Sequence, residues 1–460
     1  MSLIQLEWIR ARRDPVMRIM LLLFALAAGL AVLSGARWAA ERQALVTQAV
    51  AEADETMALR RADFAELVAK GEKPKFGLVY ATALPFRARL PNAPLAALSA
   101  GQAESYPAAA SISPFIDPYT IFDAHVAGLE SPIVLAAGRF DPAFVIVMLL
   151  PLLLIAATYD FWSRDVESGS ARFQLAQPVR PGRLILARAA VRGGSLLAAT
   201  TAIAVAALLV AGARDAAGLA LLALVTVAYG TFWIVLAILI NLFVRTSTTA
   251  ALAMGTAWLA VTILIPAISA AAVDLGAAPP SGMAHTNATR AAGLDVRAAN
   301  AAAARAAATA TSGRAYPASL WHSRREIQQR DARLRPLHDA YRTGWSEHRA
   351  LADRLRFLSP AVVAQDALDR IAGTDASRAL AFQEQARGFA GEMRLLAFDW
   401  MDRDRLLTLA DYDSGLPRFA FVEPGRAGSL ALDVAALLLF ASLLLTMAAL
   451  RLRGGPAKLL

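Results

Sequence analysis

Residues 159–192 read YDFWSRDVESGSARFQLAQPVRPGRLILARAAVR, an arginine-rich polar stretch held between two apolar runs and too short to fold alone. An apolar run ends in the charged Arg164-Asp165-Val166-Glu167, Ser168-Gly169-Ser170 breaks the chain, and Phe173-Gln174-Leu175 with Pro178 leads into a second basic helix. Such a pattern predicts a short amphipathic element lying along a membrane face, with the character of a transmission element for another protein.

The flanking sequence agrees. Apolar residues make up 57% of the 460-residue chain and mean hydropathy is +0.46, beyond what a soluble chain carries. The expected fold is an all-α polytopic membrane protein. Six apolar runs predict spans over Val16–Leu33, Phe144–Tyr159, Ser195–Ala213, Leu219–Val244, Thr248–Val273 and Val434–Leu450. Most approach the roughly 20 residues that cross a bilayer core. The second is the shortest, contains Pro151, and extends at most from Asp141 to Trp162.

Charge orients these spans, because short cytoplasmic segments collect Lys and Arg while long translocated loops do not. Segments 1–18, 160–192, 245–247 and 451–460 hold 14 basic and five acidic residues, a surplus equal to the net charge of the whole chain. The loop 37–141 has 10 basic against 12 acidic residues, and the loop 274–428 has 21 against 18. Both termini are therefore expected in the cytoplasm, with both large loops outside.

Several function classes fall away. The basic excess lies beside membrane spans rather than on one folded face with interleaved aromatics, which argues against nucleic acid. Cysteine is absent, so disulfides, thiol catalysis and cysteine metal sites are excluded. Only four lysines occur, Lys70, Lys73, Lys75 and Lys458, and none follows a glycine, so there is no Walker A loop and no nucleotide hydrolysis by this chain. The first span could be read as a signal peptide cleaved near Ala36. A retained helix is favoured, because residues 37–70 continue in a helical, alanine- and charge-rich pattern that prolongs the span outward.

The expected organisation is an N-terminal segment and first span over 1–36, an extracytoplasmic domain over 37–141 and the second span over 142–162. A cytoplasmic coupling segment follows over 163–192, then three spans over 193–273, a second extracytoplasmic domain over 274–428, and the last span with its tail over 429–460. The first outer domain opens with an amphipathic helix and closes through the irregular stretch Pro85–Pro132. The second begins at Pro279-Pro280-Ser281-Gly282 with the alanine-rich tract Ala291–Ala310. Helices are expected over Leu320–Phe357, Ala361–Ile371 and Ser377–Met401, broken at Pro360 and at Gly373-Thr374. No strand pattern is strong enough to assign.

The run Tyr159-Asp160-Phe161-Trp162, the charged Arg164-Asp165-Val166-Glu167, Gly169-Ser170 and the step Gln177-Pro178-Val179-Arg180 resemble the coupling region of type 2 ABC exporter permeases. Glu167-Ser168-Gly169-Ser170 departs mildly from the Glu-x-Gly-Thr often found there. Ile112-Ser113-Pro114, Gly138-Arg139-Phe140-Asp141, Leu358-Ser359-Pro360, Ala372-Gly373-Thr374 and Leu416-Pro417-Arg418-Phe419 extend the resemblance to a bacterial permease subfamily catalogued as a domain of unknown function. The resemblance implies a half-transporter in the bacterial inner membrane, paired with a second copy or a sister permease. ATP and Mg²⁺ are then bound by separate ATPase subunits, and this chain carries no cofactor. The ATPase contact falls on Arg164, Asp165, Glu167, Gly169, Arg172, Phe173, Leu175 and Arg180, with Phe173 and Leu175 as apolar anchors and the charges setting orientation. The plain alternative is a juxtamembrane loop held by anionic lipid.

Tyr229, Thr231, Trp233 and Asn241 are polar or amphipathic handles in the fourth span, and Pro266 a point of deformation in the fifth. They are the candidates for a substrate path, with interhelical hydrogen bonding as the default role. Small residues from Ala250 to Ala260 allow close helix approach in the fifth span. His125, His285, His322, His338 and His348 lack metal-ligand spacing and read as surface histidines. The pairs Asp366/Asp369 and Asp402/Asp404 read as solvated ion pairs among arginines. Asp433 is expected at the outer interface.

Two functions remain. One is an exporter permease moving an amphipathic or lipid-like substrate; the other is mechanical transmission to a periplasmic protein without transport. A receptor is disfavoured by the lack of a cytoplasmic output domain.

Overall fold

The computed structural model describes residues 5, 7–9, 13–72, 76–122, 139–177 and 181–453. In chain order the principal helices are α1 (Pro15–Ala69), α2 (Pro142–Glu167), α3 (Pro181–Val210), α4 (Ala216–Asn241), α5 (Ser247–Gly276), α6 (Gly282–Thr309), α7 (Ala318–Leu355), α8 (Pro360–Ala372), α9 (Ala376–Asp402) and α10 (Ala427–Arg453). Among the described residues α1 to α5 and α10 are long and apolar enough to cross a membrane, one for each expected span. The protein is thus an all-α, multi-pass membrane protein. A single small antiparallel pair interrupts the helices among the described residues, β1 (Phe86–Arg89) with β2 (Ala109–Ile112), in the register Phe86 opposite Ile112. Four residues per strand leave too short an alternation to be read from sequence.

Helix starts follow local chemistry. Asp14 accepts from the Val16 amide at 2.9 Å ahead of Pro15, and Asp141 accepts from the Phe144 amide at 2.9 Å ahead of Pro142. Asp215, Thr246, Ser281, Ser359 and Asp375 cap α4, α5, α6, α8 and α9 in the same way. Each supplies an acceptor for amides that the first helical turn leaves open.

Prolines inside α2 and α5 are absorbed by wider turns. Pro151 has no amide hydrogen to return to Val147, and α2 carries a π turn over Val145–Leu149. Carbonyls in that region find side-chain donors: Tyr229 Oη donates to Val147 O at 2.9 Å, and Trp258 Nε1 to Met148 O at 3.3 Å. The deformation expected at Pro266 is likewise a π turn, Ala260–Leu264, where Val261 O accepts from Ser359 Oγ at 2.7 Å.

The main core joins α1 to α4 with α10, and also takes in Ala361, Val363, Ala364, Ala367, Leu368 and Ile371 of α8. These positions form one apolar face at helical spacing, so α8 packs against α4 and α10 rather than within a separate loop domain. Asp433, near the start of α10, is fully buried there and gripped by Arg370 and by Arg356 at 2.9 Å. A second core holds Phe86, Ala88 and Ile112 together with Phe382, Phe389, Met393 and Trp400 of α9. The two large loop segments, expected as two domains, share this core at the span ends opposite residues 159–177.

Two sequence expectations are corrected. Asp369 is 5% exposed and has no arginine partner among the described residues; it accepts from Ser99 Oγ at 2.7 Å and Gln365 Nε2 at 2.8 Å. It sits on the packed face of α8, whereas Asp366 pairs with Arg356 and Arg370, and Asp402 is a surface partner of Arg324. His322 and His338 are buried rather than superficial, because α7 turns them toward the shared body. His125 lies outside the described residues.

Candidate functional site

Past Thr158, α2 loosens into a turn over residues 159–162 and ends in the short helix Ser163–Glu167; a second short helix, Ser170–Leu175, folds back beside it. Gly169 makes the reversal at φ +75°, a left-handed conformation that a side chain would strain. The helical hairpin is closed from within by Asp165, which accepts from Ser170 Oγ at 3.0 Å and Gln174 Nε2 at 2.9 Å.

Arg188 completes the closure. It is buried on α3, on the same face as Leu184 and Ile185, and ion-pairs with Asp165. Its other hydrogens go to Phe161 O at 3.0 Å, Gln174 Oε1 at 3.1 Å and Glu7 Oε1 at 3.4 Å. The guanidinium thus joins the N-terminal segment, the end of α2 and both arms of the hairpin, a use of its several planar donors that lysine could not match. Arg188, Gln174 and Glu7 escape a sequence reading that seeks exposed contacts. The available signal is spacing: Arg188 recurs four residues after Leu184, where an apolar face predicts an apolar side chain.

Two further ties hold the hairpin to the spans. Asn241 ends α4 with its Oδ1 accepting from Ser163 N at 3.1 Å and Trp162 N at 3.4 Å, while its amide donates to Ala237 O at 3.0 Å and Thr158 O at 3.4 Å. Glu167 Oε2 accepts from Ser247 N at 2.9 Å and Ser247 Oγ at 2.7 Å, at the first turn of α5. A carboxylate there also meets the positive end of the helix.

The coupling candidates therefore separate by placement. Asp165 and Leu175 turn inward, Leu175 against the main core. Glu167 is spent on α5. Arg164 and Arg172 are exposed, Arg164 standing 3.3 Å from Asp160, and Phe173 is 79% exposed. Arg180 lies outside the described residues. Of the path candidates, Tyr229 and Trp233 are fully buried in the packed core, Thr231 bonds back to Val227 O, and Asn241 is the tie just described. Pro266 lines a cavity of about 450 Å³ between α2, α5 and α8. Among the described residues no group of three His, Asp or Glu side chains converges as a metal site.

A braced helical hairpin thus lies at one end of six spans, in a chain whose sequence carries no phosphate-binding loop. A family profile described as ABC-2 family transporter protein matches residues 1–453. The chain belongs to that family. It is a membrane-spanning permease subunit of an ABC transporter, and membership implies an ABC ATPase as its partner. No curated protein matches this permease in sequence.

Proposed function

We propose that this permease is half of an ATP-driven exporter in a bacterial inner membrane. In this reading an ATPase carrying ATP and Mg²⁺ docks on the hairpin Ser163–Leu175 in the cytoplasm, where both termini also lie. A second copy or a sister permease completes the path, and the cargo is amphipathic or lipid-like.

The observation that carries the docking assignment is Phe173. It stands 79% exposed on a hairpin whose other contacts are internally satisfied. An apolar anchor flanked by Arg164 and Arg172 on a braced support suits a hot spot ringed by charges. Because the hairpin is tied to α3 through Arg188, to α4 through Asn241 and to α5 through Glu167, its displacement would move three spans together. Packed interfaces of this kind pass between discrete arrangements rather than bend continuously.

An amphipathic cargo is supported by the cavity between α2, α5 and α8. Phe144, Met148, Pro266 and Val362 give it an apolar wall, and Asp369 and Gln365 a polar end. The second reading, mechanical transmission to a periplasmic protein, draws on α1, which runs unbroken from a span into the body formed by the two loops.

Copurification tests the assignment. The wild-type chain in mild detergent should retain an ATPase subunit, identified by mass spectrometry, and Phe173→Ala should lose it while inserting and melting normally. Retention of the ATPase by the variant would assign Phe173 to lipid and remove the docking site. Stimulation of the purified complex by an amphiphile would favour export, and stimulation only by a protein partner would favour transmission.

A further inference from the structure

Far from the hairpin, residues from three segments enclose a cavity of about 210 Å³. Asp117 and Tyr119 come from the stretch after β2, Asp331, Arg335 and His338 from one face of α7, and Arg394 from α9. The volume is well above the roughly 10–15 Å³ that a single water needs.

Spacing along α7 puts polar groups at both ends. Asp331 and His338 are seven residues apart, on the order of 10 Å along the helix, with Arg335 between them. At one end His338 Nε2 lies 3.5 Å from Asp117 Oδ2, an ion-pair separation and no hydrogen bond. At the other, Arg394 binds Asp331 Oδ2 and fixes itself by donating to Pro114 O at 2.9 Å. Asp117 is 5% exposed and His338 6%. Asp117 Oδ2, His338 Nε2 and Asp331 Oδ1 are buried and have no hydrogen-bond partner among the described residues. Buried polar atoms are rarely left so, and their convergence on a cavity asks for an occupant.

The wall also says what kind of occupant. Asp331 already has Arg394 beside it and Asp117 already feels the charge of Arg330, so neither a bare cation nor a bare anion would find an uncompensated charge. What is missing is hydrogens for Asp117 Oδ2 and Asp331 Oδ1, and the exposed Arg335 adds a donor to the wall. A hydroxyl group supplies both roles at once. The ring of His338 is held in place for such a contact, stacked on Tyr119 with centroids 4.5 Å apart. Burial pushes the Asp117 carboxyl up, but the His338 contact, the Tyr119 amide and the Arg330 charge more than offset this and hold it below its usual value. At Asp331 burial wins and the carboxyl is raised, so Asp117 is the firmer acceptor.

We propose that this cavity binds a small neutral polyhydroxylated molecule of about monosaccharide size, with hydroxyls donating to Asp117 and Asp331 and accepting from Arg335. The site is independent of ATPase docking, so neither proposal falls with the other.

Titration calorimetry on the detergent-solubilised full chain tests it, with glucose, galactose and myo-inositol as probes and acetate and methylammonium as charged controls. Saturable binding of at least one polyol and of neither ion is expected. Asp117→Asn should weaken that binding about tenfold or more, the loss of one charged acceptor. Leu334→Phe, which intrudes on the cavity without removing a polar atom, should abolish it while the fold is retained in melting curves. No heat from any polyol, preferential binding of a charged control, or polyol binding that survives both variants overturns the proposal.

Discussion

Glu167 and Ser247 are 80 positions apart in sequence, yet the Glu167 carboxylate caps the first turn of α5 through both the amide and the hydroxyl of Ser247. The last residue of one spanning element therefore sets the entry angle of another. Glu167→Ala should release the Ser247 amide and hydroxyl at that first turn. Hydrogen exchange read by mass spectrometry should be faster in peptides covering residues 245–252 and unchanged in peptides from α9. Equal exchange in both chains would mean that α5 is held by its own cap, Thr246.

The hairpin, the end of α2 and Glu7 all converge on the buried cation Arg188. Arg188→Met should cost about 3–5 kcal/mol, because the half-buried Asp165 and the buried Glu7 would both lose the arginine they face. The double variant Arg188→Met/Asp165→Leu should recover part of that loss in melting temperature. A double variant no more stable than the single would show that Asp165 is satisfied by Ser170 and Gln174 alone.

Asp369 makes stability depend on pH with a predictable sign. Burial raises its carboxyl from the ordinary 3.8 to about 7, with Ser99 and Gln365 opposing that rise and the nearby charges of Asp141 and Asp375 adding to it. Between these values the folded chain holds a proton that the unfolded chain has released, so stability falls as pH rises from about 4 to about 7 and levels off above. Asp369→Asn keeps the hydrogen-bonding shape and removes the ionisation. It should match wild type near pH 4 and exceed it at pH 8 by an amount on the order of a few kcal/mol. Parallel melting-temperature profiles for the two proteins would place the pH dependence elsewhere.

Gly35 lies on α1 where a Cβ would stand 2.1 Å from the carbonyl oxygen of Ala97, a backbone atom that cannot swing aside. Gly35→Ala should separate α1 from the loop that carries Leu95 and Leu98 into the main core, at a cost of roughly 1–3 kcal/mol. Gly29→Ala, on the same helix with open space around it, is the control and should leave the melting temperature unchanged.

The spans were legible because each is a sustained apolar run, most of them bounded by a capping residue or a proline, and both signals are local. The hairpin was legible for the same reason: Ser168-Gly169-Ser170 demands a reversal between two charged stretches. The roles inside it were not. Asp165 and Arg188 are 23 residues apart, and nothing in their spacing tells a buried brace from a surface contact. Tyr229 and Asn241 read as polar handles that could line a path, yet they answer carbonyls and amides opened by Pro151 and by the end of α2. Asp369 read as one more helical acid among arginines, and only the docking of α8 on α4 and α10 reveals that its side faces inward.

α1 has 55 residues in one uninterrupted helix, roughly 80 Å of rod against a hydrocarbon layer of about 30 Å. Arg42 ties the projecting part to Ala103 O, Arg60 ties it to Gly77 O and Ala83 O, and Phe64 packs near its end with Leu78 and Val79. A tilt of about 5° where the helix leaves the bilayer becomes a sweep of about 4 Å at its far end, taking the helical rise as the measure of length. Motion too small to open a gap between packed spans is thereby magnified at the far end of α1, so a large displacement and a small energetic disturbance belong to opposite ends of one element.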